Sequence, residues 1–221
     1  MYQNLIIFNS ESAYYYFRDQ NFRQCVEECD GLLCDSVSLS FSLNIIGVKH
    51  RRLHGPDLFE SYLADNPTNK VVILGGSKRA HRSIEEKFQL TDTLFMSAKI
   101  VPGNMDSQSQ IIKEYRPAAV FICLGLRKQE GFIRHMLTLN GDMDGCEIIA
   151  GVGAAVDFAS GSKVRAGRVF RMLGLEWLPR LLREPRMFPR IVRSIIGCVF
   201  VIVYAKEFKK KMDKFLVSID V

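Results

Sequence analysis

The sequence predicts an α/β fold with a mostly parallel sheet flanked by helices, extended by a basic helical appendage at its C-terminal end. Two observations predict the sheet: apolar runs of strand length recur along the chain, and each is followed by a stretch with helical character. A third predicts the appendage: charge is divided unevenly, with 14 Lys and Arg against 5 Asp and Glu from residue 163 onward and 16 against 19 before it. The organisation that follows is a catalytic-type α/β region over 1–162 and a basic, amphipathic segment over 163–221.

The runs are "LIIF" (5–8), "GLLC" (31–34), "VVIL" (71–74), "AVFICL" (119–124) and "EIIAGV" (147–152). They are continuously apolar rather than alternating, which is how strands covered on both faces read. "SAKIV" (97–101) is a candidate for a further strand. Helical stretches are expected over 12–29, 56–65, 79–89, 107–116 and 128–138, with Pro56 and Asp57 opening the second and Ser107 capping the fourth.

The appendage holds "IIGCVFVIVYA" (195–205), shorter than the roughly 18 apolar residues of a spanning helix. It reads as a surface-bound or core segment. The start, "MYQNLIIFNS", has neither a basic opening nor a small-residue cleavage site, so a cytoplasmic protein is expected. The six cysteines form no C-x-x-C pair and lack histidines at metal-ligand spacing; reduced, mostly buried thiols follow.

Parallel sheets bind ligands beyond the carboxyl ends of their strands. The residues at those places are Asn9, Asp35, "GGSKR" (75–79), "GLRKQE" (125–130) and "GAAVD" (153–157). Asp35 fits two roles: N-cap of a following helix, or a general base whose basicity is set by burial and a nearby cation. "VVILGGSKRAH" lacks the spacing of either glycine-rich phosphate motif and reads as a tight turn. Glu130 suits the start of a helix, and Gln129 can hold a sugar hydroxyl. Asp157, among small residues, reads as a buried carboxylate bonded to loop amides, with a catalytic role as the alternative.

Arg165, Arg168 and Arg171, then Arg180, Arg183 and Arg186, recur every third residue, so each trio lies on one face of a helix. Between 163 and 193 only Glu176 and Glu184 are available to pair with them. That surplus of guanidinium groups points to an anion, phosphate above all.

At this level the chain resembles the WecG/TagA/CpsF glycosyltransferases of bacterial surface-polysaccharide synthesis. The family pattern "VGaaFDflaG…RAP…GLEWlyRL…ePrR" is matched by "VGAAVDFASGSKVRAGRVFRMLGLEWLPRLLREPRMFPR" (152–190), "GLGxPKQE" by "CLGLRKQE", and "adlvlaDG…eRvtG" by "CDGLLCDS…RRLHG". The resemblance covers nearly the whole chain. It implies a Rossmann-like fold and inverting, metal-independent transfer of a hexose, of the N-acetylmannosamine type, from a UDP-sugar to a sugar on undecaprenyl diphosphate. It also implies a peripheral place on the inner face of the cell membrane, with the basic appendage docked there.

Carried over position by position, the resemblance makes Asp35 the catalytic residue and Asn9, Arg52, Gln129 and Asp157 substrate-binding. Arg165, Arg180, Arg183, Arg186 and Arg190 become the diphosphate or membrane contacts. No metal and no nucleic acid are expected, and a homo-oligomer is compatible. Five positions depart from the pattern: Ile7, Ser36, Arg127, Gly167 and Met187. A non-catalytic membrane-associated subunit is the alternative that those departures suggest, and a nucleic-acid binder the alternative that the basic tail suggests.

Overall fold

The computed structural model describes residues 3–97, 102–141, 143–164, 181 and 185–212. β1 (Gln3–Phe8) leads into α1 (Ser10–Arg18) and α2 (Gln20–Glu27), and β2 (Gly31–Cys34) into α3 (Val37–Ile45) and α4 (Gly55–Asp65). β3 (Val71–Leu74) is followed by α5 (Lys78–Phe88), β4 (Thr93–Met96) by α6 (Met105–Tyr115), and β5 (Ala119–Ile122) by α7 (Lys128–Asn140). After β6 (Ile148–Gly151) come the short α8 (Ala155–Ala159), then α9 (Phe188–Val203) and α10 (Ala205–Met212).

The strands form one six-stranded parallel sheet in the order β2-β1-β6-β5-β3-β4, an α/β, Rossmann-like arrangement. "GLLC" and "VVIL" are strands over the expected residues, and all eight positions are buried. The fourth strand differs: it is Thr93–Met96, and 98–101 of the "SAKIV" run lie outside the described residues. The stretch 12–29 is two helices, because Asp19 ends α1 in extended backbone and its carboxylate then accepts the Phe22 N–H at 3.2 Å to start α2.

The chain falls into two compact units. One comprises Met1–Ile6, Glu28–Asp30 and Gly55–Lys163. Within it α6 and α7 cover one face of β3, β5 and β6, through Ile112, Phe132, Ile133 and Met136 against Val72, Val120, Ile122 and Ile149. The opposite face turns Phe121 onto Phe59 and Tyr62 of α4, with ring centroids 5.1 and 5.4 Å apart. Continuous apolar strands are what such two-sided burial requires.

The other unit comprises Ile7–Glu27, Gly31–His54 and Val164–Val221. Its core is aromatic: Phe208 packs against Phe8, Tyr16 and Phe17, and Phe200 stacks on Tyr14 with centroids 6.2 Å apart. α9 lies along α1, and Gly197 is the point of closest approach, where a Cβ would overlap the Ser10 carbonyl oxygen. Glu11, buried at the start of α1, holds Arg190 (2.7 Å) and Arg193 (2.8 Å) of α9 together. None of the six cysteines, all among the described residues, is joined in a disulfide, and four of them are buried.

Candidate functional site

In the second unit, polar groups gather where β1 and β2 end. The Asp35 N–H donates to the Phe8 carbonyl at 3.0 Å, which ties the residue after β2 to the end of β1. The helix cap falls one residue later than Asp35. Ser36 has extended dihedrals, and its Oγ accepts the Leu39 N–H at 3.3 Å, so Asp35 is not the N-cap of α3. Ser36 Oγ also meets Ser10 Oγ at 2.8 Å, and Ser10 Oγ meets Ser38 Oγ at 2.7 Å, a hydroxyl chain that joins the starts of α1 and α3.

The Asp35 carboxylate is therefore unclaimed by the helix. It is 27% exposed, and its Oδ1 lies 2.8 Å from His54 Nδ1. The segment carrying that histidine runs beside β2: Cys34 and Arg52 form a parallel bridge, and the Leu53 N–H donates to the Cys34 carbonyl at 3.0 Å. The same bridge delivers Arg52, whose side chain is exposed. Burial, followed by the Asp35 charge, pushes the Cys34 thiol up to about 12, partly offset by its bond to the Ser36 carbonyl and by Arg52. Cys34 thus stays a neutral thiol at the strand end.

Asn9 caps α1: its Oδ1 accepts the Ser12 N–H at 3.0 Å, and Ser12 Oγ accepts the Asn9 N–H at 3.2 Å. The Nδ2 group holds the hydrogen-bonding capacity that this cap does not use. Ile7, the departure beside it, is a buried core residue of β1.

In the first unit a second polar cluster follows β5 and β6. α7 begins at Lys128, preceded by Arg127 with φ 72° and ψ −38°. The Arg127 N–H donates to Glu130 Oε2 at 2.6 Å, Gln129 Nε2 donates to Glu130 Oε1 at 2.9 Å, and Gln129 Oε1 accepts the Gly153 N–H at 3.0 Å. Gln129 lies so close to β6 that a Cβ at Gly151 would sit 2.8 Å from its Cδ. Gln129 is thus 4% exposed and spans the loops after β5 and β6, with one Nε2 hydrogen left to offer. Burial pushes Glu130 up to about 7, against its bonds to Gln129 and Arg127.

Asp157 differs from the sequence expectation. It lies within α8, is partly exposed, and its partner is the Lys163 ammonium, while its carbonyl accepts the Lys163 N–H at 2.9 Å. An ammonium six residues on satisfies the carboxylate instead of loop amides. Arg165, Arg180 and Arg183 lie outside the described residues. Arg186 is exposed, and Arg190 is paired with Glu11, an acid that a search confined to residues 163–193 does not see.

α9 turns Ile195, Val199, Ile202 and Val203 outward, and α10 adds Lys209, Lys210 and Lys211, of which Lys209 donates to the Gly47 carbonyl at 3.0 Å and Lys211 pairs with Glu27. Among the described residues no single helix is long and apolar enough to cross a membrane; α9 and α10 together reach that length but are bent by 90°. No group of three or more His, Cys, Asp or Glu that could hold a metal ion occurs among them. The sequence does carry one D-x-D spacing, Asp142 and Asp144. Asp142 lies outside the described residues, and Asp144 sits in the turn that precedes β6, at that strand's N-terminal end.

His54 is the residue the sequence reading passed over. Its signal was its place in "RRLHG", the segment aligned with a motif that the pattern couples to Asp35. Comparison with known proteins agrees with the resemblance. The Glycosyl transferase WecG/TagA/CpsF family matches over residues 3–213. The chain is 26% identical over 197 residues to the N-acetylglucosaminyldiphosphoundecaprenol N-acetyl-beta-D-mannosaminyltransferase of Bacillus spizizenii, covering 85% of this chain and 74% of that one. It is 24% identical over 220 residues to the protein of the same name from Staphylococcus aureus strain MW2, covering 94% of this chain and 82% of that one.

Proposed function

Because the chain belongs to the glycosyl transferase WecG/TagA/CpsF family, and is thus a glycosyltransferase, we propose that it transfers an N-acetylmannosamine-type hexose from a UDP-sugar to a sugar on undecaprenyl diphosphate. The names of its relatives support this choice, since both describe an N-acetylmannosaminyl transfer to an N-acetylglucosaminyl-diphosphoundecaprenol. The observation that carries the reading is Asp35: a partly shielded carboxylate at a strand's end, released from capping by Ser36 and held at one oxygen by His54.

The reaction is a single displacement. Asp35 removes the proton from the acceptor hydroxyl as that oxygen attacks the anomeric carbon, and the bond from that carbon to the diphosphate breaks with its electron pair leaving on UDP. Attack opposite the leaving group inverts the anomeric centre. Arg52 supplies a cation beside β2, and Gln129 offers a hydrogen-bond donor for a sugar hydroxyl. The diphosphate charge is met by Arg165, Arg180, Arg183 and Arg186 without a metal.

The outward face of α9 and the lysines of α10 dock the protein peripherally on the anionic cytoplasmic leaflet that carries the acceptor. The test is a transfer assay with a panel of UDP-sugars and a lipid-diphosphate N-acetylglucosamine acceptor, with and without EDTA. Transfer from UDP-N-acetylmannosamine that survives EDTA is expected. Absence of transfer from every donor overturns the reading, and loss on chelation that magnesium or manganese restores overturns its metal-free part.

A further inference from the structure

We infer that His54 is a positioning residue for the transfer, holding the Asp35 carboxylate by one oxygen so that the other is presented to the acceptor hydroxyl. The inference rests on Asp35 being the base. An ionised carboxylate can only accept, so the 2.8 Å contact fixes the proton on His54 Nδ1, which donates to Oδ1. Oδ2 is then the oxygen that takes the substrate proton.

Backbone hydrogen bonds locate both partners. Asp35 is tied through its own N–H to Phe8, and the residues just before His54 are tied to Cys34 by the Arg52 bridge and the Leu53 N–H. The imidazole therefore meets the carboxylate at little conformational cost. The two side chains are 20% and 27% exposed, shielded enough for the bond to hold yet open enough for a substrate to reach the carboxylate.

The chemistry of the donor matters as well. A ring nitrogen presents a single N–H to Oδ1, where a lysine or arginine would bring several donors able to engage both carboxylate oxygens.

Two near-isosteric variants separate the possibilities. The Asn amide nitrogen falls where His54 Nδ1 lies, and the Gln amide nitrogen falls where Nε2 lies. His54→Gln is expected to lower kcat by about 10- to 100-fold, the range for a misplaced reacting group, with the KM for UDP-N-acetylmannosamine little changed. His54→Asn, which keeps the donor, is expected to restore most of that loss.

Equal loss in both variants would make the imidazole itself the base and overturn the positioning role, as would parental kcat in His54→Gln. Asp35→Asn is assayed alongside: if it retains activity, the base assignment fails first. A readout independent of turnover is the imidazole 15N spectrum, which should show the Nδ1–H tautomer of His54 in the parent and lose that preference in Asp35→Asn. An Nε2–H tautomer in the parent refutes the inference.

Discussion

Replacing Gly197 with alanine sets two effects of opposite sign against each other. In the middle of a helix such as α9, alanine is favoured over glycine by about 1 kcal/mol, so propensity alone predicts stabilisation. Against this, the new Cβ would overlap the Ser10 carbonyl oxygen and lie 2.8 Å from the Tyr14 nitrogen. Both are backbone atoms of α1, so no side-chain rotation relieves the clash. The helices must separate, loosening the Tyr14–Phe200 stack, the Phe17–Phe200 contact at 5.6 Å and the grip of Glu11 on Arg193. Overpacking of this kind costs about 1–3 kcal/mol, and the lost contacts add to it, so the net is a destabilisation of about 2 kcal/mol. For a chain of this length that lowers Tm by roughly 4–8 °C. Thermal unfolding of Gly197→Ala and parent, followed by circular dichroism, reads the sign directly. A Tm above the parent's would mean that propensity wins, and the close approach of α9 to α1 would be refuted.

Glu130 predicts a pH dependence. Its folded-state value of about 7 stands above the ordinary 4.5, so the folded protein binds the proton more tightly. The stability it contributes is complete below pH 4.5 and is lost as pH rises through 7, by about 3 kcal/mol in all. Urea unfolding of parent and Glu130→Gln across pH 4.5–8 should show this slope in the parent and a flatter profile in the variant; parallel profiles would contradict it. Arg127, at φ 72°, occupies backbone that glycine adopts freely. Arg127→Gly should raise stability by about 1 kcal/mol in the same assay, and a loss would show that the turn is unstrained. Substituting Ile195 and Val199 together with serine should weaken sedimentation with phosphatidylglycerol vesicles by about tenfold or more, since each side chain buries about 1.5–3 kcal/mol of apolar surface. Unchanged sedimentation would assign that face another role.

The sequence made the interior strands legible because burial on both faces leaves an unbroken apolar word: "GLLC" and "VVIL" need no context. β4 was missed because it is an edge strand, half-buried at Thr93, Leu94 and Phe95, and so lacks that signature. The place of the cap before α3 was not legible either. Asp35 and Ser36 are both good cap residues, and only the hydroxyl chain to Ser10 and Ser38 decides between them. Pairing between distant segments was not legible for a related reason: the carboxylate that takes Arg190 and Arg193 belongs to Glu11, at the far end of the chain. Asp157 shows the same limit at short range, where a charge on Lys163 replaces the expected loop amides. What sequence conveyed about the site was which residues follow strand ends; which of their atoms are already committed had to come from structure.

The most direct measurement is the turnover of Asp35→Asn in the transfer assay, on protein whose melting temperature and far-ultraviolet spectrum match the parent's. With Asp35 as the base, the asparagine amide cannot take the acceptor proton, and kcat falls by at least about 100-fold while the fold persists. A folded Asp35→Asn protein that transfers sugar at near-parental rate would contradict the assignment of this carboxylate to the chemistry.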